Sequence, residues 1–144
     1  MIEYTLHPFG TMTADEFQKY YEISFHKRND NIIPANVVII TDNGEYVGFV
    51  DFNKVAKTVM YLRYIGFEKF TSNAFRYCKG AFDYIREQGY NTILGSIDAS
   101  NRLSLLTGLR VGFRINGFKM IDGRGYVDVI MDGEKNLGSY SRGL

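Results

Sequence analysis

The chain has 144 residues, of which 45% are hydrophobic and 15% aromatic, and this is enough for one domain with a sizeable buried core. Seventeen basic and sixteen acidic residues leave a net charge of +1, which disfavours nucleic-acid binding because contacts to a phosphate backbone normally require an excess of positive charge. The single cysteine, Cys78, excludes an intramolecular disulfide, and no cysteine and histidine cluster has the spacing of a zinc site, so we expect no bound metal.

The beginning of the chain predicts a strand followed by a helix. Residues 2–7 form a plausible strand, and Thr13-Ala-Asp-Glu16 has the form of a capping box, which begins a helix. We expect this helix to end near Lys27 and Arg28, because the next residues are turn-like and Pro34 resists helical continuation.

Three antiparallel strands are predicted next. Residues 37–41 are an apolar, β-branched run, residues 42–45 (Asp-Asn-Gly-Glu) give a tight-turn signal, and residues 46–52 return as the second strand of a hairpin. Residues 58–67 are predicted to be a third strand that extends the same sheet.

The second half begins with a long helix, predicted over residues 72–88 and ended by Gly89. Its apolar residues recur at helical spacing: Ala74, Cys78, Ala81, Phe82 and Ile85. Residues 91–97 are the next predicted strand. Residues 114–121 and 126–131 form a second hairpin, and the glycine- and serine-rich composition from residue 132 to residue 144 predicts a tail that is poorly ordered.

A short helix at residues 101–110 lies between that strand and that hairpin. Ser100 or Asn101 begins it, and Gly112 takes the position past its end, where a positive φ is needed. Three leucines lie along one side of it: Leu103, Leu106 and Leu109.

The segment from Asp98 to Phe118 closely resembles the one that closes the acetyl-CoA site in the GNAT superfamily of N-acetyltransferases, usually written Asn-x-x-Ala/Ser, then about six residues, then Gly-Phe. Asn101, Ser104, Gly112 and Phe113 stand in those places. The order of predicted elements is also that of the GNAT fold. The resemblance implies an α+β class with a central, mostly antiparallel sheet that is splayed between the fourth and fifth strands, with helices on both faces. It implies one domain over residues 1–131.

The resemblance also implies an acetyl-CoA site. Family members place the pyrophosphate at the N-terminus of the long helix, where unpaired amides and the helix dipole favour an anion. The segment from Lys69 to Ala74 falls where they carry Gln/Arg-x-x-Gly-x-Gly/Ala. Lys69 substitutes for the Gln/Arg, Ser72 for the first glycine, and Ala74 matches the last position.

The implied cofactor-binding residues are Ile65, Gly66, Phe67, Lys69, Phe70, Thr71, Ser72, Asn73, Ala74, Arg76, Asn101 and Ser104. Arg76, one turn into the helix, would add a second positive charge for the phosphates. The alternative interpretation is that Thr71 and Ser72 merely cap the helix and that both basic residues are solvated.

For transfer, the amine must be deprotonated and the oxyanion stabilised. The resemblance implies that a backbone amide near Tyr64, Ile65 and Gly66 stabilises the oxyanion. Glu68, at the end of that strand, is the best-placed carboxylate for the base, and Asp98 is second. The alternative is that both carboxylates are solvated or capping residues.

Many family members carry a tyrosine seven residues after the asparagine as the acid that protonates the leaving thiolate, and this chain has Gly108 there. Tyr64, Tyr61 and Ser96 are the candidates to replace it, and the sequence does not choose among them because donor geometry decides.

Two classes of function remain. The first is an acetyl-CoA-dependent N-acetyltransferase whose acceptor is a primary amine of a small molecule or of a protein. The second is a GNAT-shaped protein with decayed catalytic residues that serves in binding or assembly, as resembles some small phage-encoded versions of this fold. A weaker third is an acyl-CoA sensor.

The sequence also bears on localisation. No apolar run approaches the roughly 20 residues that span a bilayer, and the N-terminus lacks a signal-peptide pattern. We therefore expect a cytoplasmic protein with no membrane partner and no nucleic-acid partner.

Overall fold

The computed structural model describes residues 1–132, so most of the predicted tail lies outside the described residues. Residues 1–132 form an α+β fold with seven strands and three helices: β1 (Ile2–His7), α1 (Ala14–Phe25), β2 (Asn36–Asp42), β3 (Glu45–Ala56), β4 (Val59–Phe67), α2 (Asn73–Glu87), β5 (Thr92–Asp98), α3 (Arg102–Val111), β6 (Arg114–Ile121) and β7 (Arg124–Asp132). Each predicted element is present. The largest difference is in β3, which continues past the predicted end at Phe52 to Ala56.

Both predicted hairpins turn on two residues with positive φ. Asn43 and Gly44 have φ of 53° and 83° between β2 and β3, and Asp122 and Gly123 have φ of 50° and 80° between β6 and β7. Two successive positive φ values are typical of a type I′ turn, which matches the twist of the strands that it joins. Asparagine, aspartate and glycine tolerate this conformation best, and their presence explains why the turn signals were reliable.

The described chain divides into two compact units. The first comprises residues 1–53 and 62–84, and the second comprises residues 54–61 and 85–132. In the first unit the strand order is β1-β2-β3-β4. The β1–β2 and β2–β3 pairs are antiparallel. The expectation of one domain over residues 1–131 stays a prediction.

In the first unit, α1 and α2 cover opposite faces of the strands. Phe17 of α1 packs in one buried cluster with Ile39 of β2, together with Tyr21, Ile32, Val37 and Phe49. On α2, Tyr84 stacks on Tyr4 of β1, with ring centroids 5.8 Å apart. Tyr4 pairs with Ile40, the neighbour of Ile39, and successive strand residues point to opposite faces. The prediction of helices on both faces is therefore confirmed within this unit.

Helices α1 and α2 match the features predicted for them. The capping box of α1 is complete, since the Thr13 hydroxyl accepts from the Glu16 amide and the Glu16 carboxylate accepts from the Thr13 amide. The helix ends at Phe25, with His26 in the left-handed region, slightly before the predicted end. All five residues of the predicted apolar face of α2 are buried: Ala74, Cys78, Ala81, Phe82 and Ile85.

In the second unit, to which β4 contributes only its first residues, the strand order is β4-β5-β7-β6. Strand β5 is antiparallel to β7, and β7 is antiparallel to β6. In contrast, β4 and β5 are parallel, and their pairing joins only Val59–Tyr61 to Thr92–Leu94. Pairing between the fourth and fifth strands thus ends after Tyr61 and Leu94, as the predicted splay requires.

The short helix α3 has a capping residue at each end. Asn101 is its N-cap, and Gly112 follows its last residue with a φ of 119°. The predicted leucine side is present, but it is exposed: Leu103, Leu106 and Leu109 are 56%, 55% and 39% exposed. Within residues 1–132 we find no helix whose length and apolar character would let it cross a bilayer.

Candidate functional site

The loop between β4 and α2 begins the helix with a threonine cap. Lys69, Phe70, Thr71 and Ser72 are all exposed. The Thr71 hydroxyl accepts a hydrogen bond from the Asn73 amide at 3.2 Å, and its carbonyl accepts one from the Ala74 amide at 2.9 Å. Thr71 therefore satisfies two of the orphan amides of the helix, as the capping interpretation predicts.

Other amides of this loop remain available. Within residues 1–132 the amides of Phe70, Thr71 and Ser72 have no hydrogen-bond acceptor. The first turn of α2 contains no acidic residue. Arg76 lies one turn into the helix, where its guanidinium donates to the Asn73 side chain at 3.3 Å. Free amides, a helix N-terminus and two cations, Lys69 and Arg76, together favour a bound anion.

The last residues of β4 lead into this loop. Gly66 is buried, and a β-carbon there would lie 2.7 Å from both Phe49 and Ser24, so glycine allows the strand to pack closely. The Phe67 ring meets the Phe70 ring edge-on, with centroids 5.7 Å apart. The predicted cofactor residues from Ile65 to Arg76 are thus brought together along one strand end and one helix start.

The two predicted carboxylates differ in their surroundings. Glu68 is exposed, and its amide donates to the Val47 carbonyl at 3.0 Å. The Asp98 carboxylate accepts from the Ser100 hydroxyl at 2.7 Å and from the Ser100 amide at 2.9 Å, and it lies 3.1 Å from the Arg124 guanidinium. The hydrogen bonds from Ser100, more than the charge of Arg124, lower the pKa of Asp98. Asp98 is therefore engaged in the turn that precedes α3.

Tyr64 lies on the first unit's aromatic cluster. Its ring meets the Tyr21 ring edge-on, with centroids 6.2 Å apart, and the Arg63 guanidinium lies 5.2 Å from its centroid. It packs at the border of the core cluster and stays partly exposed.

The signature residues of α3 serve its two ends. The Asn101 side chain accepts from the Ser104 amide at 3.1 Å, and Phe113, which is 5% exposed, donates through its amide to the Gly108 carbonyl at 3.0 Å. Gly108 faces Ile97, and a β-carbon at Gly108 would lie 3.5 Å from the Ile97 side chain. No phenol is present at that position.

A second group of polar side chains crosses the strands of the second unit, and we call it the Tyr61 network. Its members are Tyr61 of β4, Ser96 of β5, Asp128 of β7 and Lys119 of β6. The Tyr61 and Ser96 hydroxyls are 2.6 Å apart, the Ser96 hydroxyl donates to Asp128 at 2.7 Å, and the Lys119 ammonium lies 3.0 Å from the same Asp128 oxygen.

The charges in this network determine the direction of its hydrogen bonds. The hydrogen bond from Ser96, and then that from Lys119, lower the pKa of Asp128, so Asp128 is an acceptor. Ser96 gives its only proton to Asp128, and Tyr61 must therefore donate to Ser96. The pKa of Lys119 is raised, first by Asp128 and also by Tyr61. Tyr61 thus donates to Ser96 and interacts through its oxygen with the Lys119 cation.

Sequence reasoning missed three charged residues that the structure makes prominent. Lys119 and Asp128 belong to the Tyr61 network, and Asp51 of β3 is fully buried. Asp51 and Asp128 each interrupt an apolar strand segment, Phe-Val-Asp-Phe and Tyr-Val-Asp-Val, and this interruption was the available signal. The residues described contain no group of three or more side chains suited to hold a metal ion.

No protein-family model matches the sequence, and no curated protein matches it. Solved structures do match. An acetyltransferase from Bacillus subtilis in complex with CoA is 15% identical, with a TM-score of 0.68 over 92% of this chain and 99% of that chain. The ribosomal-protein-S18-alanine N-acetyltransferase from Escherichia coli is 12% identical, with a TM-score of 0.67 over 97% of this chain and 99% of that chain.

A mutant form of the spermidine N-acetyltransferase SpeG from Vibrio cholerae is 15% identical, with a TM-score of 0.60 over 72% of this chain and 67% of that chain. These likenesses show that the chain has the fold of the GNAT acetyltransferases, as the sequence resemblance predicted.

Proposed function

We propose that this chain is an acetyl-CoA-dependent N-acetyltransferase. The observation that carries the proposal is the start of α2, where the amides of Phe70, Thr71 and Ser72 are free within the described residues and the cations Lys69 and Arg76 flank them in the sequence. A diphosphate matches this combination of donors and positive charge. The fold supports the proposal, because the Bacillus subtilis acetyltransferase with a similar structure was solved in complex with CoA.

The residues present fit the coenzyme. Lys69, Arg76 and the free amides would hold the pyrophosphate, and the Ser72 hydroxyl can donate a further hydrogen bond where the family carries glycine. The backbone of β4 after Tyr61 is not paired with β5, so the polar groups on that side of the strand are available to the pantetheine arm. In this proposal Asn101 and Ser104 contact the same arm. The coenzyme supplies the acetyl group as a thioester.

The chain's own groups then have separate tasks. A backbone amide between Tyr64 and Gly66 stabilises the oxyanion, and Glu68 accepts the proton of the acceptor amine, directly or through water. Asp98 is the weaker candidate for the base, because Ser100 and Arg124 already occupy its carboxylate and lower its pKa. Tyr64 remains a candidate for the acid that protonates the leaving thiolate.

The acceptor is a primary amine in this proposal, on a small molecule or on a protein. The similar proteins include acetyltransferases for both kinds of acceptor: the Vibrio cholerae protein is a spermidine N-acetyltransferase, and the Escherichia coli protein is a ribosomal-protein-S18-alanine N-acetyltransferase. Cytoplasmic location and a phage origin remain expectations from the sequence.

Gly108 favours one alternative function. A helix without a phenol at this position lacks the usual family acid, and this favours a GNAT-shaped binding or assembly protein that has no transferase activity. The two functions make different predictions for the same assay.

Thermal unfolding with acetyl-CoA and with free CoA, followed by a thiol-release assay over a panel of amines, tests the proposal. Either ligand at 100 times its dissociation constant should add about 2.7 kcal/mol of stability. Thiol release that requires an amine supports the transferase. Binding without release supports a protein that binds the coenzyme without transfer. The absence of any shift with both ligands would overturn the transferase and favour the assembly protein.

A further inference from the structure

Helix α3 covers only part of the sheet face on which it lies. A β-carbon at Gly108 would lie 3.5 Å from the Ile97 side chain of β5, and one at Gly112 would lie 3.5 Å from the Met131 side chain of β7. Met131 and Val129 of β7 are buried, at 5% and 2% exposed. Strand β6 follows β7 and is the last strand in the sheet order of residues 1–132. The helix therefore packs on β5 and β7, and β6 lies beside the covered area.

The apolar side chains of β6 share this face of the sheet. Val127 and Val129 lie on the face of β7 that α3 covers, because strand residues two apart share a face. They pair with Phe118 and Ile115 of β6, and paired residues point to the same face. Met120, two residues beyond Phe118, lies there as well. In contrast to the buried residues of β7, Ile115, Phe118 and Met120 are 56%, 63% and 60% exposed.

The outer side of α3 is apolar too. Gly108 faces the sheet, and Leu105 lies three residues before it on the same side of the helix and is partly buried. The exposed leucines of α3 therefore point away from the sheet. Together with the exposed face of β6 they form what we call the α3–β6 surface, which consists of Leu103, Leu106, Leu109, Ile115, Phe118 and Met120.

The α3–β6 surface is large for a protein that acts as a monomer. At roughly 200 Å² for one large apolar residue, the exposed fractions of its six residues amount to an area on the order of 600 Å². This area is at the upper end of the apolar patches on monomers, and a standard interface buries about 800 Å² on each partner. The α3–β6 surface alone thus supplies most of one partner's share of a stable interface.

The charges near this surface are arranged as they are around the centre of an interface. The two cations of β6, Arg114 and Lys119, lie on the opposite face of the strand, where each pairs with an aspartate of β7. Arg102 and Arg110 lie near the two ends of α3, on either side of the leucines. Charged residues are depleted at the centre of an interface and common at its rim, and this surface follows that pattern.

We propose that the α3–β6 surface binds a second copy of this chain around a two-fold axis, with α3 of each copy covering β6 of the other. The surface combines a helix side that stands above the sheet with a strand face that no helix covers within residues 1–132. When two copies meet face to face, the helix of each fills the space above the strand of the other, and the two-fold axis makes this contact twice. The surface is therefore complementary to itself.

This packing makes a specific prediction for two residues. Leu106 is the middle leucine of α3, and Phe118 lies between Ile115 and Met120 on β6, so Leu106 of one copy contacts Phe118 of the other. The proposed dimer forms with or without the coenzyme. It therefore stands apart from the proposed function and can be tested without an activity assay.

Sedimentation of the full chain over a range of concentrations tests the dimer. We expect the wild type to reach twice the 16.5 kDa of one chain. Leu106→Glu and Phe118→Glu should each raise the dissociation constant of the dimer by about 100-fold or more, because each buries a carboxylate twice in a symmetric interface. Both residues are more than half exposed within one chain, so the thermal midpoint of the monomer should change little.

Val55→Glu is the matched control. Val55 is 55% exposed, as Leu106 is, and it lies on β3, outside the α3–β6 surface. It introduces the same carboxylate in place of an exposed apolar side chain. The dissociation constant of the Val55→Glu dimer should equal that of the wild type.

A mixture of two variants tests whether α3 and β6 exchange between the copies. When Leu106→Glu is mixed with Phe118→Lys, one contact of the mixed dimer joins a carboxylate to an ammonium, and the other keeps the original leucine and phenylalanine. Opposite charges favour this pairing, whereas each variant alone repeats a buried unpaired charge at both contacts. The mixture should therefore associate about 10-fold or more tightly than either variant alone.

The other outcomes would overturn the proposal. A wild type that stays monomeric at every concentration would do so, and sedimentation of that monomer with vesicles that contain phosphatidylglycerol would assign the surface to anionic lipid instead. A dimer that Leu106→Glu and Phe118→Glu leave as tight as the wild type would place the interface elsewhere. A mixture that associates no better than its components would exclude the exchange of α3 and β6. None of these results bears on the thiol-release assay, which tests the proposed function separately.

Discussion

The carboxylate of Asp51, on β3, lies 3.3 Å from the guanidinium of Arg63, on β4, and Asp51 is fully buried. Its other oxygen accepts from the Ala35 amide at 3.0 Å, and Arg63 donates to the Ile33 carbonyl at 3.0 Å. The oxygen that faces Arg63 has no hydrogen-bond partner of good geometry within the described residues. This pair therefore ties the loop before β2 to the strands, at the expense of an incompletely satisfied buried charge.

The first prediction concerns the pH dependence of stability. Burial raises the pKa of Asp51 from 3.8 to about 6, and Arg63 only partly offsets this. Between these values the folded protein binds the proton more tightly than the unfolded chain, so the contribution of Asp51 to stability falls as the pH rises from about 4 to about 6. Asp51→Asn removes this dependence.

The difference in unfolding free energy, Asp51→Asn minus wild type, should therefore increase by roughly 2–3 kcal/mol between pH 4 and pH 7, measured by urea unfolding. Asp98→Asn is the control, because the pKa of Asp98 is lowered in the folded protein, so its carboxylate titrates below this pH range and the same difference should stay nearly constant. A pH-independent difference for Asp51→Asn would show that the Asp51 carboxyl titrates as in the unfolded chain.

The second prediction concerns Gly80 of α2. A β-carbon there would lie 1.8 Å from the Tyr4 hydroxyl oxygen, and Tyr4 is held by stacking on Tyr84. Gly80→Ala should therefore destabilise the protein by about 1–3 kcal/mol, as overpacking does. In a Tyr4→Ala background the same change should cost nothing, and a double-mutant cycle measures this. If Gly80→Ala destabilises the protein equally in both backgrounds, the clash does not involve Tyr4.

The third prediction compares two glycines that have equal space for a β-carbon but different backbone conformations. A β-carbon at Gly108 would lie 3.5 Å from Ile97, and one at Gly112 would lie 3.5 Å from Met131, both ordinary contacts. Gly108 is helical, so Gly108→Ala should stabilise the protein by about 0.5–1 kcal/mol. Gly112 has a φ of 119°, so Gly112→Ala should destabilise it by about 1–2 kcal/mol. Equal effects would mean that the backbone conformation does not matter.

The elements that sequence reasoning predicted well are those with local signals. The capping box at Thr13 and the Asn43-Gly44 turn depend on a few adjacent residues, and both are confirmed. The buried face of α2 was predicted because five apolar residues recur at helical spacing. These signals are short in range and need no knowledge of the partner surface.

The exposed side of α3 shows where such reasoning stops. Leu103, Leu106 and Leu109 share one side, as expected, but the partly buried positions of α3 include Leu105 and Gly108. Which side of a short helix packs depends on the strand it faces, here through Ile97, and periodicity does not specify that strand.

The candidate site divides in the same way. The α2 loop was predicted from its resemblance to a contiguous motif. The Tyr61 network joins four strands, and its members are separated by up to 67 positions along the chain, from Tyr61 to Asp128. Only the strand order and register bring them together, so Lys119 and Asp128 carried no signal beyond the interruption of apolar runs.

Direct measurement of CoA binding by calorimetry, to the wild type and to Lys69→Glu, is the sharpest test of the central proposal, that the start of α2 holds the diphosphate of CoA. Lys57→Glu is the matched control, since Lys57 is exposed in the turn between β3 and β4 and the change of charge is the same. Loss of a charge-assisted hydrogen bond predicts an affinity about 10- to 100-fold lower for Lys69→Glu, with the affinity of Lys57→Glu close to that of the wild type. Equal affinities for all three proteins, or no CoA binding by the wild type, would contradict the proposal.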